Sequence, residues 1–136
     1  MKRIEVKSKE YNIVTLGEDL ILYTADLNEE IAYSIFSTEL EKVGLARNLD
    51  QAQLIKFFAE INPDNIKASG LIKIRIIGGT DSEVSKNSLN NLLLQLQAID
   101  NNDDIIDLRA CDACEKIHPN SLELDCYHGG IHGFST

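Results

Sequence analysis

The chain predicts an α+β fold: mixed β-sheets arranged like a sandwich and covered by two helices. Three observations carry this. Strand-like stretches outnumber helical ones, only two stretches show helical periodicity, and residues 70–108 read as a β-α-β unit. With 136 residues, 43% of them hydrophobic and 26% charged, one ordinary domain spans residues 1–136 and holds a core without disulfides or metal.

Residues 3–6 and 11–16 suit short strands. Residues 20–25 are apolar, aromatic and β-branched, again a strand. Asp26-Leu27-Asn28-Glu29 is turn chemistry, and residues 30–37 alternate, with Ile31, Tyr33 and Ile35 on one side. Residues 20–37 therefore read as a β-hairpin. Asn48 followed three residues later by Gln51 signals a helix start. That helix presents Leu49, Ala52, Ile55 and Phe58, with Leu54 beside them, and ends before Pro63.

Residues 71–77 form the clearest strand. Ile72, Ile74 and Ile76 share its apolar face, and Lys73 and Arg75 point the other way. Gly78-Gly79 ends it, and Ser82 or Ser85 caps the next helix, on which Leu89, Leu92, Leu93, Leu96 and Ile99 follow helical spacing. Asn101-Asn102-Asp103 stops that helix, and residues 105–108 form a further strand. If the strands at 71–77 and 105–108 are parallel in one sheet, the crossover is right-handed. Ile117 and residues 122–124 read as a closing hairpin around Pro119-Asn120-Ser121, followed by a loose glycine-bounded tail over 129–136.

A net charge of −9 disfavours nucleic acid, whose affinity comes from neutralised phosphates, and suits solubility or a basic protein partner. Lys2, Arg3, Lys7 and Lys9 precede no unbroken apolar run, so neither a signal peptide nor a membrane span is expected. Three cysteines clustered at one end are no secreted disulfide framework. They favour a reducing, cytoplasmic setting, though a secreted bacterial effector without a cleaved signal would look the same.

Every cysteine and histidine lies between Cys111 and His132: Cys111, Cys114, Cys126, His118, His128 and His132. Cys111 and Cys114 have knuckle spacing, and Cys126 and His128 share one face if they lie on a strand, so these four are the candidate zinc ligands. C-x-H is not the usual second half of such a site, and the weightier reading makes the cysteines small core residues. No helical run follows Cys111-Asp112-Ala113-Cys114, which argues against a redox pair. A catalytic pair of Cys114 with His118 would need Asp112, Glu115 or Asp125 to orient the imidazole. Gly78-Gly79-Thr80 is a β-α turn before it is an anion cradle, since it lacks the lysine of a phosphate loop. Glu29-Glu30 reads as a solvated turn.

The order of elements, with two segments, resembles the receptor glutamine deamidases of bacterial chemotaxis (CheD), relatives of the cytotoxic-necrotizing-factor cysteine hydrolases. Residues 71–126 follow that family's strand, Gly-Gly-small residue, helix, strand and hairpin. Thr15-Leu16-Gly17 is similar to its Thr-x-Gly, and Ala32-Tyr33 stands where it has Ala-His. The resemblance implies a CheD-like fold and equivalent positions at Thr15, Asp19 and Tyr33. The cysteine nucleophile is absent around Asp19, and Tyr33 replaces the histidine; a phenol is a poor general base near neutral pH. The expectation is a non-catalytic domain that binds a partner protein. The alternatives are a zinc module on residues 111–132 and a cysteine hydrolase whose nucleophile has moved into the tail.

Overall fold

The computed structural model describes residues 1–114 and 120–134. Among the described residues, nine strands and two helices follow in the order β1 (Lys2–Glu5), β2 (Glu10–Thr15), β3 (Leu20–Thr24), β4 (Ile31–Ser37), β5 (Lys42–Arg47), α1 (Gln51–Ile61), β6 (Ile72–Gly78), α2 (Glu83–Asp100), β7 (Ile106–Cys111), β8 (Ser121–Asp125) and β9 (Gly130–Phe134). They form two mixed sheets, ordered β1-β3-β8-β9 and β2-β5-β4-β6-β7. The α+β class is as the sequence predicts.

Two apolar clusters define three layers. Leu54, Phe57, Phe58 and Ile61 of α1 and Leu92 and Leu96 of α2 pack on Tyr33, Ile35, Ile72, Ile74 and Ile76, one face of the five-stranded sheet. The opposite face contributes Ala32, Val43, Leu45 and Ile77 to a second cluster with Leu20, Leu22, Leu122 and Leu124 of the four-stranded sheet and Cys126 just beyond it. The five-stranded sheet is thus covered by helices on one side and by a second sheet on the other. Strand β6 carries apolar residues on both faces at its end, Ile76 in one cluster and Ile77 in the other, because it sits between the layers.

The predicted hairpin over 20–37 does not form. β3 pairs with β1 and β8, whereas β4 pairs with β5 and β6 in the other sheet. The turn between them carries the chain from one layer to the next; Asp26 and Asn28 there take positive φ, which short polar side chains tolerate. Strand β5, absent from the sequence reading, runs antiparallel between β2 and β4. Gly44 in its middle is in close contact with the Phe57 ring, and a Cβ there would stand 3.3 Å from it.

Helix α1 is capped by Asp50, not Asn48. The Asp50 carboxylate accepts from Gln53 N at 2.8 Å, and the Gln53 side chain accepts from Asp50 N at 3.0 Å, a reciprocal capping box. That phase buries Leu54, Phe57, Phe58 and Ile61 and leaves Ala52 and Ile55 exposed, correcting the predicted face. Ser82 caps α2 as expected, and Asn101 in the left-handed conformation closes it. β6 and β7 are parallel neighbours, as the β-α-β reading requires. The closing hairpin is β8 with β9, turning over residues 126–129. The tail expected to be loose is therefore an edge strand as far as residue 134. The predicted turn partners Ile117 and Pro119 lie outside the described residues.

Candidate functional site

The structure disperses the residues that the sequence grouped. Cys126 is fully buried between the sheets, and burial pushes its thiol pKa up to about 11. Residues 126–129 are a turn, so Cys126 faces inward while His128 is exposed and its Nδ1 lies 2.8 Å from Asp125 Oδ2. The strand geometry that would have put Cys126 and His128 on one face is not there. Cys111 is exposed at the end of β7. Cys114 is half-buried next to Gly79 and Ser85, and burial, helped by neighbouring Cys111, raises its pKa as well. A raised pKa is the reverse of what activates a thiol nucleophile. Among the described residues no group of three or more His, Cys, Asp or Glu side chains could hold a metal ion. His118 and Glu115 lie outside the described residues.

Nor do Thr15, Asp19 and Tyr33 converge. Thr15 pairs with Lys42 and Tyr33 is level with Ala46, four residues further along β5, about 13 Å along the strand direction. Asp19 is exposed ahead of β3 in the other sheet. Tyr33 is 2% exposed and packs edge-on to Phe57. Its hydroxyl has no hydrogen-bond partner among the described residues, and burial raises its pKa far above the ordinary phenol value.

The other candidate motifs are structural. Gly79 N donates to Glu30 O at 2.8 Å and Thr80 N to Ser85 Oγ at 2.9 Å, so the chain itself uses these amides of the Gly78-Gly79-Thr80 turn. Glu29 and Glu30 diverge: Glu29 accepts from Ser82 Oγ at 3.0 Å, while Glu30 is no solvated turn residue. The Glu30 carboxylate accepts from Arg47 Nε at 2.8 Å, from Asn48 Nδ2 at 2.6 Å and from Ser8 Oγ. Burial alone would raise its pKa, but these three donors outweigh burial and hold it below the usual range.

What the fold leaves open is its helical layer. Residues 87–99 of α2 carry no charge, in a chain that is 26% charged. Half of this helix is solvent-facing, with Leu94 63% exposed, and across from it on α1 Ile55 is 54% exposed. Between the helices runs a groove of about 410 Å³ lined by Leu54, Ile55, Leu94, Ala98 and Ile99. It continues past Ile55 and Ile99 into a hollow of about 300 Å³ floored by Phe58, Ile72 and Ile106. At its other end Gln95 leads to a polar cavity of about 230 Å³ walled by Asn48, Asp50, Ser88 and Asn91, with Tyr33 in its lining. The sequence places Ile55 in the core; the packing of Leu54, Phe57, Phe58 and Ile61 on the sheet turns it outward. The charge-free run was visible in the sequence, and its meaning needed the knowledge of which side faces solvent.

No protein-family model matches the chain. Over 61 residues it is 54% identical to the uncharacterized protein RC0132 of Rickettsia conorii; the matched stretch is 45% of this chain and 81% of that protein. No helix among the described residues is long and apolar enough to cross a membrane.

Proposed function

The chain belongs to the family of that rickettsial protein, and from the geometry we propose that it is a protein-binding domain that works without a thiol–imidazole catalytic pair. The observation that carries this is the exposed face of α2. A solvent-facing helix ordinarily carries charge; here residues 87–99 offer amides and exposed Leu94 beside the apolar groove with Ile55. Cores of protein interfaces are likewise depleted of charge and rich in apolar side chains. The groove would take apolar side chains of a partner, and the amides of Asn90, Asn91 and Gln95 would form its polar rim. The resemblance to deamidases that act on protein receptors agrees with a protein partner, while the dispersal of Thr15, Asp19 and Tyr33 agrees with binding in place of hydrolysis.

The test is a pair of surface variants, Ile55→Glu and Leu94→Glu, which touch no core packing. Unchanged circular dichroism with loss of a bound protein captured by the native chain is the expected outcome. The Cys111→Ser, Cys114→Ser double variant is expected to keep that protein. A partner retained by both glutamate variants sinks the reading, and so does glutamine deamidation by the native chain that the cysteine variant abolishes.

A further inference from the structure

On the face of the five-stranded sheet turned away from the helices, the four-stranded sheet covers only part of the surface. Along β6 one face carries Lys73, Arg75 and Ile77. Ile77 is 3% exposed and lies in the core between the sheets, whereas Arg75 is exposed and Lys73 half-buried. On β4, Ala32 is in the same core and Ser34 and Phe36 follow it on that face. The register sets Ser34 opposite Arg75 and Phe36 opposite Lys73. Strand β7 adds Arg109, at the irregularity where Leu108 faces Ile74 but Ala110 faces Arg75; such a bulge re-aims a side chain. The β8–β9 turn closes the far side, where Gly129, at φ +78°, is pressed against the Phe36 ring so closely that a Cβ would overlap it. Ser34, Phe36, Lys73, Arg75, Arg109 and Gly129 line one cleft of about 370 Å³.

The charge here opposes that of the molecule. The chain carries −9 overall, yet three cations converge on this cleft. One carboxylate answers them: Asp107 Oδ2 lies 3.2 Å from Arg109. Lys73 and Arg75 make no ion pair among the described residues. Three like charges in one cleft repel one another, a cost that a bound anion removes. Ser34 is the second observation. It lines the cleft, is 1% exposed, and its hydroxyl has no hydrogen-bond partner among the described residues. A buried hydroxyl left unpaired is costly, and such a group is commonly satisfied by what binds beside it.

We propose that this cleft binds a phosphoryl group, held by Lys73, Arg75 and Arg109 with a hydrogen bond from Ser34. A carboxylate brings one charge and two oxygens. A phosphate monoester brings nearly two charges and three peripheral oxygens, a better match to two guanidinium forks, an ammonium and a hydroxyl. Nucleic acid is a poor fit, since the surrounding surface is acidic and would repel the phosphates that follow. The volume exceeds that of a bare phosphate, and Phe36 lines the remainder, so the ligand is a phosphomonoester whose organic part rests on that ring. This site lies on the opposite face of the sheet from the helical groove and stands independently of it.

The experiment is an amide-resolved NMR titration of the full chain at constant ionic strength with inorganic phosphate, O-phosphoserine and citrate in turn. Saturable shifts at residues 34, 75, 110 and 129 are expected, with phosphoserine binding more tightly than phosphate. Arg75→Gln and Lys73→Gln, both at solvent-accessible positions, should each weaken binding about tenfold, the loss expected for one charge-assisted contact. Ser34→Ala should weaken it several-fold without lowering the melting temperature, which separates a ligand contact from a structural role. Leu94→Glu should leave it unchanged. Shifts spread over all exposed lysines without saturation would overturn the proposal. Citrate binding as tightly as phosphoserine would overturn the phosphoryl assignment, and equal affinity for phosphate and phosphoserine would overturn the role given to Phe36.

Discussion

At position 126 a thiol is held in the wall between two sheets, and this has a measurable signature. Unfolded, it ionises near the ordinary cysteine value of about 8.5; folded, burial pushes it up to about 11. Its stabilising contribution is whole below the lower value and is lost as pH rises toward the upper one, because only the unfolded chain releases the proton. The stability gap between the native chain and Cys126→Ala, from urea midpoints, should therefore narrow between about pH 8.5 and pH 11. A gap that stays constant with pH would place the thiol in solvent. Alkylation should separate the three cysteines: exposed Cys111 first, half-buried Cys114 slowly, Cys126 only on unfolding. Tyr33, like Ser34, is buried with a polar atom unpaired among the described residues. Tyr33→Phe keeps the ring contact with Phe57 and removes that atom, so stability should hold or rise by up to ~1 kcal/mol in thermal or urea melts. A loss above ~1 kcal/mol would instead mean that water or a ligand satisfies the hydroxyl.

The elements most sensitive to single changes are those tied at their ends. Asp50→Ala removes the cap of α1 and should cost about 1 kcal/mol, whereas Asn48→Ala leaves the cap and removes one donor to Glu30. Because the Glu30 pKa is depressed in the folded chain, its contribution is present above the unfolded carboxylate value and is lost as pH falls through the folded one. The destabilisation caused by Glu30→Gln should accordingly shrink in acid, read by urea midpoints at about pH 7 and pH 3. The elements also show what was legible. β6 was read correctly because its alternation is unambiguous and both flanks are glycines. α2 was read correctly because serine and asparagine mark its ends. The 20–37 hairpin failed because Asp26-Leu27-Asn28-Glu29 is equally good chemistry for a turn within a sheet and for a step between sheets. β3 is decided by β8, about a hundred residues away. The cap of α1 was placed two residues early, and the spacing 49, 52, 55, 58 was followed where the buried face runs through 54, 57, 58 and 61, which leaves Ile55 at the surface. The basic cleft draws on positions 34, 36, 73, 75, 109 and 129, which share no local motif and meet only through register.

At the scale of the molecule, the two sheets differ in where their strands come from. Residues 10–111 supply the whole five-stranded sheet and both helices, while the four-stranded sheet joins β1 and β3 to β8 and β9 from the other end of the chain. The long separation of β3 from β8 is an entropic cost that slows their pairing. During synthesis this sets an order of events. Once residue 111 has left the ribosome, the helical layer and its sheet have every strand they need. β3 has only β1 beside it, and although Leu20 and Leu22 can pack on Val43 and Leu45, its other edge stays unpaired until β8 emerges. An open strand edge with an apolar face is a template for unwanted pairing. Nascent chains stalled once residue 111 has emerged should therefore resist protease over 10–15 and 31–111 and be cut within 1–5 and 20–24, with protection of those two segments appearing only when residues 121–125 are free of the exit tunnel. Residues 121–134 thus close the side of the molecule that residues 2–24 opened, and until then the growing chain offers an unpaired strand edge to whatever shields exposed strands at the tunnel mouth.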